Sequence, residues 1–311
     1  MPQRLVLAEK SVFIGMRNTE IIKKMLFFWV LALAGAVTGC TYVGGADFRE
    51  EVPLRMDFLD VGQGLAVLLE LDGRYAMYDT GPDSAGVMDS LEARGVDTLE
   101  WVLLSHNHRD HAGGFLELAA GVGASAKPRV AVRRLYVGPD TSGGFVRDSA
   151  LRVARRFGIP VDTVMRGAVV ALGEAGEDVG EVLWPPEYSR LGGNAASAVL
   201  HVEFGEASAL LTGDLDSAGE RRLLELSPTV SAGILQVPHH GSAGSSGLAF
   251  VGRIGPEYAV VSVGAKNSYG HPAAEVVRKY VLVLGDSSRF FRTDRDGSVG
   301  FELYRGLGVS R

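Results

Sequence analysis

The sequence predicts an α/β chain in which two sheets pack face to face with helices outside them. Three observations carry this. Short apolar runs bounded by turn residues recur in both halves of the chain. Helix-period segments lie between those runs instead of forming a separate block. Polar clusters rich in His and Asp stand just past several of the runs, which gathers them at one edge of a sandwich. No internal repeat is visible.

The elements follow in order. Leu54 to Val61 alternates apolar and polar residues as a half-buried strand does. After the turn Gly62-Gln63-Gly64, the runs Leu65 to Leu71 and Arg74 to Tyr78 flank Asp72-Gly73, a hairpin signal. Residues 84–94 read as a helix, with Gly95 suited to a left-handed C-cap. Leu99 to Leu104 is a buried strand, and a helix runs on from Gly114. A loose stretch at 121–127 precedes a strand at Val130 to Val137. Residues 145–157 form a helix whose polar face carries Arg147, Arg152, Arg155 and Arg156, read as a solvated face. Residues 161–188 are short strands and loops, with Trp184-Pro185-Pro186 stopping any helix. Ser197 to Phe204 and Ser208 to Leu211 are strands about Gly205-Glu206. Residues 217–226 are helical, with Ser217 as N-cap and Glu220 at capping-box spacing. A strand at Ile234 to Val237, a further helix and a strand at Tyr258 to Val263 come next. Pro272 to Tyr280 is a helix, and Phe290 to Tyr304 a last hairpin turning at Asp296-Gly297.

The chemistry concentrates in Ser105-His106-Asn107-His108-Arg109-Asp110-His111, an H-x-H-x-D-H run just past an apolar strand. Imidazole nitrogen and carboxylate oxygen suit zinc first, with manganese or iron as competitors. Alternation lets His106 and His108 point one way and Asp110 and His111 another. Such a loop serves two metals roughly 3.5–4 Å apart. Asp214, in Leu210-Leu211-Thr212-Gly213-Asp214, is either a helix cap or a metal ligand able to bridge two ions. His239, His240 and His271 stand in two further loops. His201 lies within a strand and reads as a strand residue.

Composition bounds the setting. The 311 residues are 46% hydrophobic and 22% charged, enough for one large domain or two small ones. A single cysteine, Cys40, excludes an internal disulfide framework. Residues 1–39 read as a signal peptide: Lys23 and Lys24, then the apolar run Met25 to Val37, then Thr38-Gly39 before Cys40. This placement of cysteine resembles the lipobox of bacterial lipoproteins, in which the thiol is lipidated. The expectation is an exported protein held at a membrane through lipidated Cys40; an uncleaved anchor is the alternative. Residues 40–52 form a tether, and 53–311 the folded domain. Removing residues 1–39 takes five basic and two acidic side chains from a net charge of −6, leaving −9. That is not the footprint of a dedicated nucleic-acid binder.

Taken with Asp79-Thr80-Gly81 and Thr212-Gly213-Asp214, the H-x-H-x-D-H run resembles the metallo-β-lactamase superfamily. Four further motifs resemble the C-terminal hydrolase domain of ComEC-type competence proteins: Asp60-Val61-Gly62-Gln63-Gly64, Pro238-His239-His240-Gly241-Ser242, Asn267-Ser268-Tyr269-Gly270-His271-Pro272 and Arg292-Thr293-Asp294-Arg295-Asp296-Gly297. The likeness spans about residues 54–304, and a free-standing relative without the membrane channel is expected.

The resemblance implies a four-layer αββα sandwich and two divalent metals, zinc first and manganese second. His106 and His108 would hold one metal. Asp110, His111 and His240 would hold the other, with Asp214 bridging. His239 or His271 would replace His240 or protonate a leaving group, and Asp110 would guide the attacking water. Asp79 would orient the His loop. Ser242, Lys266 and Asn267 would meet an anionic substrate, with the backbone of Gly241 to Ser246 holding an oxygen. Two positions depart from the wider pattern. Asn194 stands where many members carry a third imidazole, and Leu65 where many carry an acid. The implied activity is hydrolysis of a phosphodiester, with DNA among the candidate substrates, or of another small anionic ester. A carbon ester, lactone or β-lactam is the alternative substrate, and a non-catalytic metal-binding surface lipoprotein the alternative role. No protein partner is inferable from the sequence.

Overall fold

Strands buried on both faces organise the chain, because each sheet packs on the other sheet and on a helical layer. The computed structural model describes residues 52–120, 129–140, 143–173, 179–186, 191–306 and 308–310. The expected signal peptide, Cys40, the tether up to its last residue and the 121–127 stretch lie outside the described residues. Among the described residues no helix is long and apolar enough to cross a membrane.

The first half opens with β1 (Leu54–Phe58), β2 (Ala66–Leu71) and β3 (Arg74–Thr80). Asp72 and Gly73, at φ 49° and 72°, make the tight turn between β2 and β3, as Asp-Gly favours. α1 (Val87–Ala93) ends at Gly95, whose φ of 69° is the expected left-handed stop. Then come β4 (Thr98–Leu99), β5 (Trp101–Leu104), α2 (Arg109–Ala112), α3 (Gly114–Ala120), β6 (Ala131–Val132), β7 (Leu135–Val137), α4 (Phe145–Phe157) and β8 (Val161–Thr163). The second half holds β9 (Val169–Ala171), β10 (Val179–Trp184), β11 (Val199–Phe204), β12 (Ala207–Leu211), α5 (Ser217–Leu226), β13 (Ile234–Gln236), α6 (Leu248–Ile254), β14 (Tyr258–Val261), α7 (Ala274–Leu284), β15 (Phe290–Arg292), α8 (Thr293–Asp296), β16 (Val299–Tyr304) and β17 (Gly308–Ser310).

One large sheet has the order β17-β16-β1-β2-β3-β5-β7-β8, the other β15-β14-β13-β12-β11-β10-β9, and β4 pairs with β6 in a separate two-stranded sheet. Both combine an antiparallel part with a parallel part: β3, β5, β7 and β8 run parallel in the first, β12 to β15 in the second. Alternation assigns the faces. Val67 and Leu69 of β2 join Leu200, Leu211 and Ile234 in the core between the sheets. Ala66 and Leu68 face outward and pack with Leu91, Phe115 and Ala154 of α1, α3 and α4. Leu210 and Leu235 pack outward against Leu223, Phe250 and Tyr280 of α5, α6 and α7. The result is the expected αββα sandwich. Aromatic rings close the inter-sheet core: Phe301 sits 6.2 Å from Phe58, 6.0 Å from Phe291 and 5.5 Å from Tyr258, centroid to centroid.

Three expectations are corrected. Phe290 to Tyr304 is not a hairpin: β15 borders the second sheet while β16 lies inside the first, so the chain crosses between layers. Thr293 fixes the crossing by accepting the Val263 N–H at 2.9 Å through its hydroxyl. Ser217 is not the N-cap of α5. Asp216 is, accepting the N–H groups of Ala218 and Gly219 at 3.1 and 2.8 Å. Glu220 makes no capping box. It is buried and accepts the backbone N–H groups of Ser246 and Gly247, at the entry to α6.

Candidate metal centre

Almost every ligand-type side chain leaves the carboxyl end of a parallel strand, where open α/β sheets place their sites. Asp79 ends β3, the His106–His111 run follows β5, and Asp214 follows β12. His239 and His240 follow β13, and His271 lies in the loop after β14. Asn194 precedes β11, which runs antiparallel to β12 and therefore starts at the same edge.

Two groups of side chains could each hold a metal ion, with the ligand atoms of each group within 4.8 Å of one another: His106, His108 and Asp214, and Asp110, His111 and His240. Asp214 stands between them. One of its oxygens is 3.1 Å from His111 Nε2 and 3.5 Å from His240 Nε2, the other 3.8 Å from His106 Nε2 and 3.7 Å from His239 Nε2. Asp110 lies 3.4 Å from His240 Nε2.

The surroundings fix the tautomers. His111 Nδ1–H donates to Asp79 at 2.7 Å, and His240 Nδ1–H donates to the Ser262 carbonyl at 2.8 Å. Ser105 gives its hydroxyl proton to Asp79 at 2.7 Å and so accepts from His106 Nδ1–H at 3.0 Å. With neutral rings, all three Nε2 atoms then carry lone pairs pointing into one space. His106 Nε2 and Asp214 Oδ1 are buried there without a hydrogen-bond partner. A convergence of buried acceptors lacking donors fits cations, and the N/O donor set fits divalent zinc or manganese.

The supports are as closely built. Asp79, fully buried, accepts Ser105 N–H at 2.7 Å besides the two contacts above. Thr80 donates its hydroxyl to the His111 carbonyl at 3.0 Å and accepts Phe115 N–H at 2.9 Å. Leu65 donates its N–H to the Asp110 carbonyl at 3.0 Å, and its side chain is fully buried in the inter-sheet core. The Gln236 amide, buried, accepts Thr212 N–H at 2.7 Å and donates to the Gly213 carbonyl at 3.1 Å. His239 and His240 both sit at φ 52°, a costly conformation for non-glycine residues. The sharp turn they make directs both rings toward Asp214.

In the absence of metal these groups perturb one another. Burial opposes a charged His111, yet the carboxylates of Asp214 and Asp79 outweigh it and raise its pKa well above the usual imidazole value. Burial opposes ionised Asp214 too, but His111 and His240 hold it well below the usual carboxylate range. Burial pushes Asp110 up, and His240 and His111 reverse that and lower it. Burial lowers His106, His239 and His271.

Above the cluster an open cleft of about 660 Å³, including its solvent-filled mouth, is lined by Gln63, His108, Arg109, Asp110, Asn194, Asp214, His239, His240, Tyr269 and His271. The structure thus brings His106, His108, Asp110, His111, Asp214, His239, His240 and His271 together. His239 is half-buried, with Asn194 Nδ2 2.9 Å from its Nε2, and its ring centroid is 5.8 Å from that of His271. Asn194 therefore bridges to His239 and stands outside both ligand groups. His201 is also outside them, its Nε2–H donating to the Ser231 carbonyl at 3.0 Å.

Ser242, Lys266 and Asn267 do not line the cleft. Asn267 instead ties its own loop, donating to the carbonyls of Gly264 and His271, each at 2.8 Å. The Ser246 N–H, expected to hold a substrate oxygen, is already occupied by Glu220. Gln63, Arg109 and Tyr269 line the cleft without having been singled out from the sequence. All three stand inside motifs that carried the resemblance, and that was the available signal.

An αββα sandwich with two adjoining His/Asp groups at its strand ends defines the metallo-beta-lactamase class of fold. The chain belongs to the metallo-beta-lactamase superfamily, whose family model matches residues 59–265. It is 34% identical over 251 residues to competence protein ComA of Neisseria gonorrhoeae, covering 79% of this chain and 32% of that protein. It is 30% identical over 279 residues to ComE operon protein 3 of Bacillus subtilis (strain 168), covering 82% of this chain and 34% of that protein. The chain thus spans about one third of the length of these relatives. Among solved structures it is similar to CmlA, a diiron beta-hydroxylase from Streptomyces venezuelae, with a TM-score of 0.54 and 16% identity, covering 81% of this chain and 54% of that one. That likeness is one of fold.

Proposed function

We propose that this chain is a metal-dependent phosphodiesterase, exported and held at a membrane through lipidated Cys40. The observation that carries the hydrolase reading is the convergence of His106, His111, His240, Asp110 and Asp214 as acceptors around one space, with no donor among them to pair the buried atoms. His106 and His108 would hold one metal, Asp110, His111 and His240 the other, and Asp214 stands within reach of both groups. Two divalent ions held there would supply an activated water and stabilise charge on the attacked ester.

The protein's own groups do the rest. Asp79 and the Ser262 carbonyl fix the ring tautomers, so Nε2 of His111 and His240 faces the site at every turnover. Asp110, half-buried at the cleft floor, accepts a hydrogen bond from the attacking water and aligns it. His239 and His271 also line the cleft, where an imidazole that carries a proton passes it to the departing oxygen. The open cleft admits an extended ester, and relatives named for competence give a nucleic-acid context that favours a phosphodiester. The lipid anchor is supported by the basic pair Lys23-Lys24, the apolar run after it and the small residues before Cys40.

The test is hydrolysis of bis(p-nitrophenyl) phosphate by the full chain in detergent, stripped of metal and titrated with zinc or manganese. Turnover that depends on metal and is lost in Asp214→Ala is expected. Folded, metal-loaded protein that turns over a lactone or thioester but no phosphodiester would overturn the reading.

A further inference from the structure

Tyr269 is 69% exposed although it is a large aromatic side chain and lines the metal cleft. Its ring lies nearly parallel to that of His271, 24° apart, with centroids 5.6 Å from one another. His271 is in turn 5.8 Å from His239, and His239 Nε2 is 3.7 Å from Asp214. Three rings therefore step from the metal ligands to the mouth of the cleft, and the outermost presents its free face to solvent.

The loop that carries Tyr269 is held rigidly. Asn267 Oδ1 accepts the N–H groups of Tyr269 and His271 at 3.2 and 2.9 Å, while its amide nitrogen donates to the carbonyls of Gly264 and His271. Gly264 N–H donates to Gln63 Oε1 at 3.2 Å, which seats the loop on the turn after β1. A rigid aromatic ring loses little conformational freedom when a second ring stacks on it, so burying its exposed face on binding is favourable.

We infer that Tyr269 is a stacking platform for an aromatic ring of the substrate, the kind a nucleobase offers, beside the scissile ester. This rests on the phosphodiesterase reading and deepens it. The cleft then selects base-bearing phosphodiesters over alkyl ones without reading sequence, because every base has a π-face.

The test compares the affinity of the full chain for a labelled single-stranded DNA octamer and for an abasic strand of equal length and charge. Fluorescence anisotropy reads both, with zinc present and again in chelator, for the wild type, Tyr269→Phe and Tyr269→Leu. The wild type should bind the base-bearing strand on the order of ten-fold more tightly than the abasic one. Tyr269→Phe should keep that preference and Tyr269→Leu lose it, with abasic affinity unchanged in both. Equal affinity for the two strands in the wild type, no binding of either, or an undiminished preference in Tyr269→Leu would overturn the inference. Hydrolysis of bis(p-nitrophenyl) phosphate by the same wild-type sample separates the two ideas. Turnover without base preference removes the platform and leaves the phosphodiesterase; base preference without turnover removes the phosphodiesterase and leaves the platform.

Discussion

His111 Nε2 lies 3.2 Å from His240 Nε2, although each ring has its other nitrogen committed to a fixed acceptor. Two lone pairs at that distance repel unless a proton or a cation sits between them. The protein thus holds a choice between protonation and metal at one point, and several measurable properties depend on it.

The first is the pH dependence of stability. In metal-free protein burial opposes the charge on His111, but Asp214 and Asp79 raise its pKa well above 6.5. A raised folded pKa gives stabilisation that is complete below the unfolded value and lost as pH rises through the folded one. Burial likewise opposes the charge on Asp214, but His111 and His240 hold its pKa well below 3.8, so its contribution is complete above that value and lost on acidification through the folded pKa. Melting temperature in chelator should therefore fall toward alkaline pH as His111 loses its proton, while His106, His239 and His271, whose pKa values burial lowers, charge on unfolding below 6.5 and subtract stability on the acid side. Zinc replaces the protons and should move the maximum upward. A chelated sample that gains stability steadily from neutral to alkaline pH would contradict this.

Asp79 stands outside both ligand groups but accepts three donors, two from Ser105 and one from the ligand-group residue His111. Asp79→Asn keeps the volume and removes the charge that fixes the His111 tautomer. Metal affinity should fall by about 10- to 100-fold. Competition with a chromophoric chelator measures it, and an unchanged affinity in folded protein would remove Asp79 from the account.

Glu220 is the internal anion that holds the entry to α6. Glu220→Ala strands the N–H groups of Ser246 and Gly247, and each buried unpaired donor costs about 1–3 kcal/mol. Denaturant unfolding should show a loss in that range or above it, with Glu220→Gln milder because one acceptor oxygen remains. Equal stability of all three proteins would mean that water takes over the cap.

Gly213 has φ 53°, and a Cβ there would stand 2.9 Å from Ser105 Oγ, the atom linking Asp79 to His106. Gly213→Ala combines left-handed strain with overpacking and should cost about 2 kcal/mol or more. Thermal unfolding would register this as a fall of several degrees. Zinc affinity should fall with it, since the displaced hydroxyl orients His106.

The site was legible in the sequence to the extent that its residues are clustered along the chain. His106, His108, Asp110 and His111 fall in one short loop, and the strand before it fixes where that loop must emerge. Asp214 and His240 were legible from the short motifs around them. The two sheets with helices outside followed from alternating strand and helix patterns. What was not legible depends on partners distant in sequence. Glu220 has good capping-box spacing, yet its carboxylate serves Ser246 and Gly247 in another element. Asp296-Gly297 turns the chain, but a turn signal does not say whether the next strand returns to the same sheet. The Val263 N–H to Thr293 contact, which directs the crossing, exists only in the folded chain. Asn267 was expected at the substrate because it stands beside His271 in the sequence, whereas its amide donates within its own loop.

The most direct measurement of the central claim is the count of metal ions bound. The full chain, stripped and dialysed against zinc, should hold two ions per chain by elemental analysis. His240→Ala should hold about one, and Asp214→Ala should bind neither tightly, because Asp214 reaches both groups. Folded wild-type protein that retains one ion or none at saturating zinc or manganese would contradict a two-metal centre.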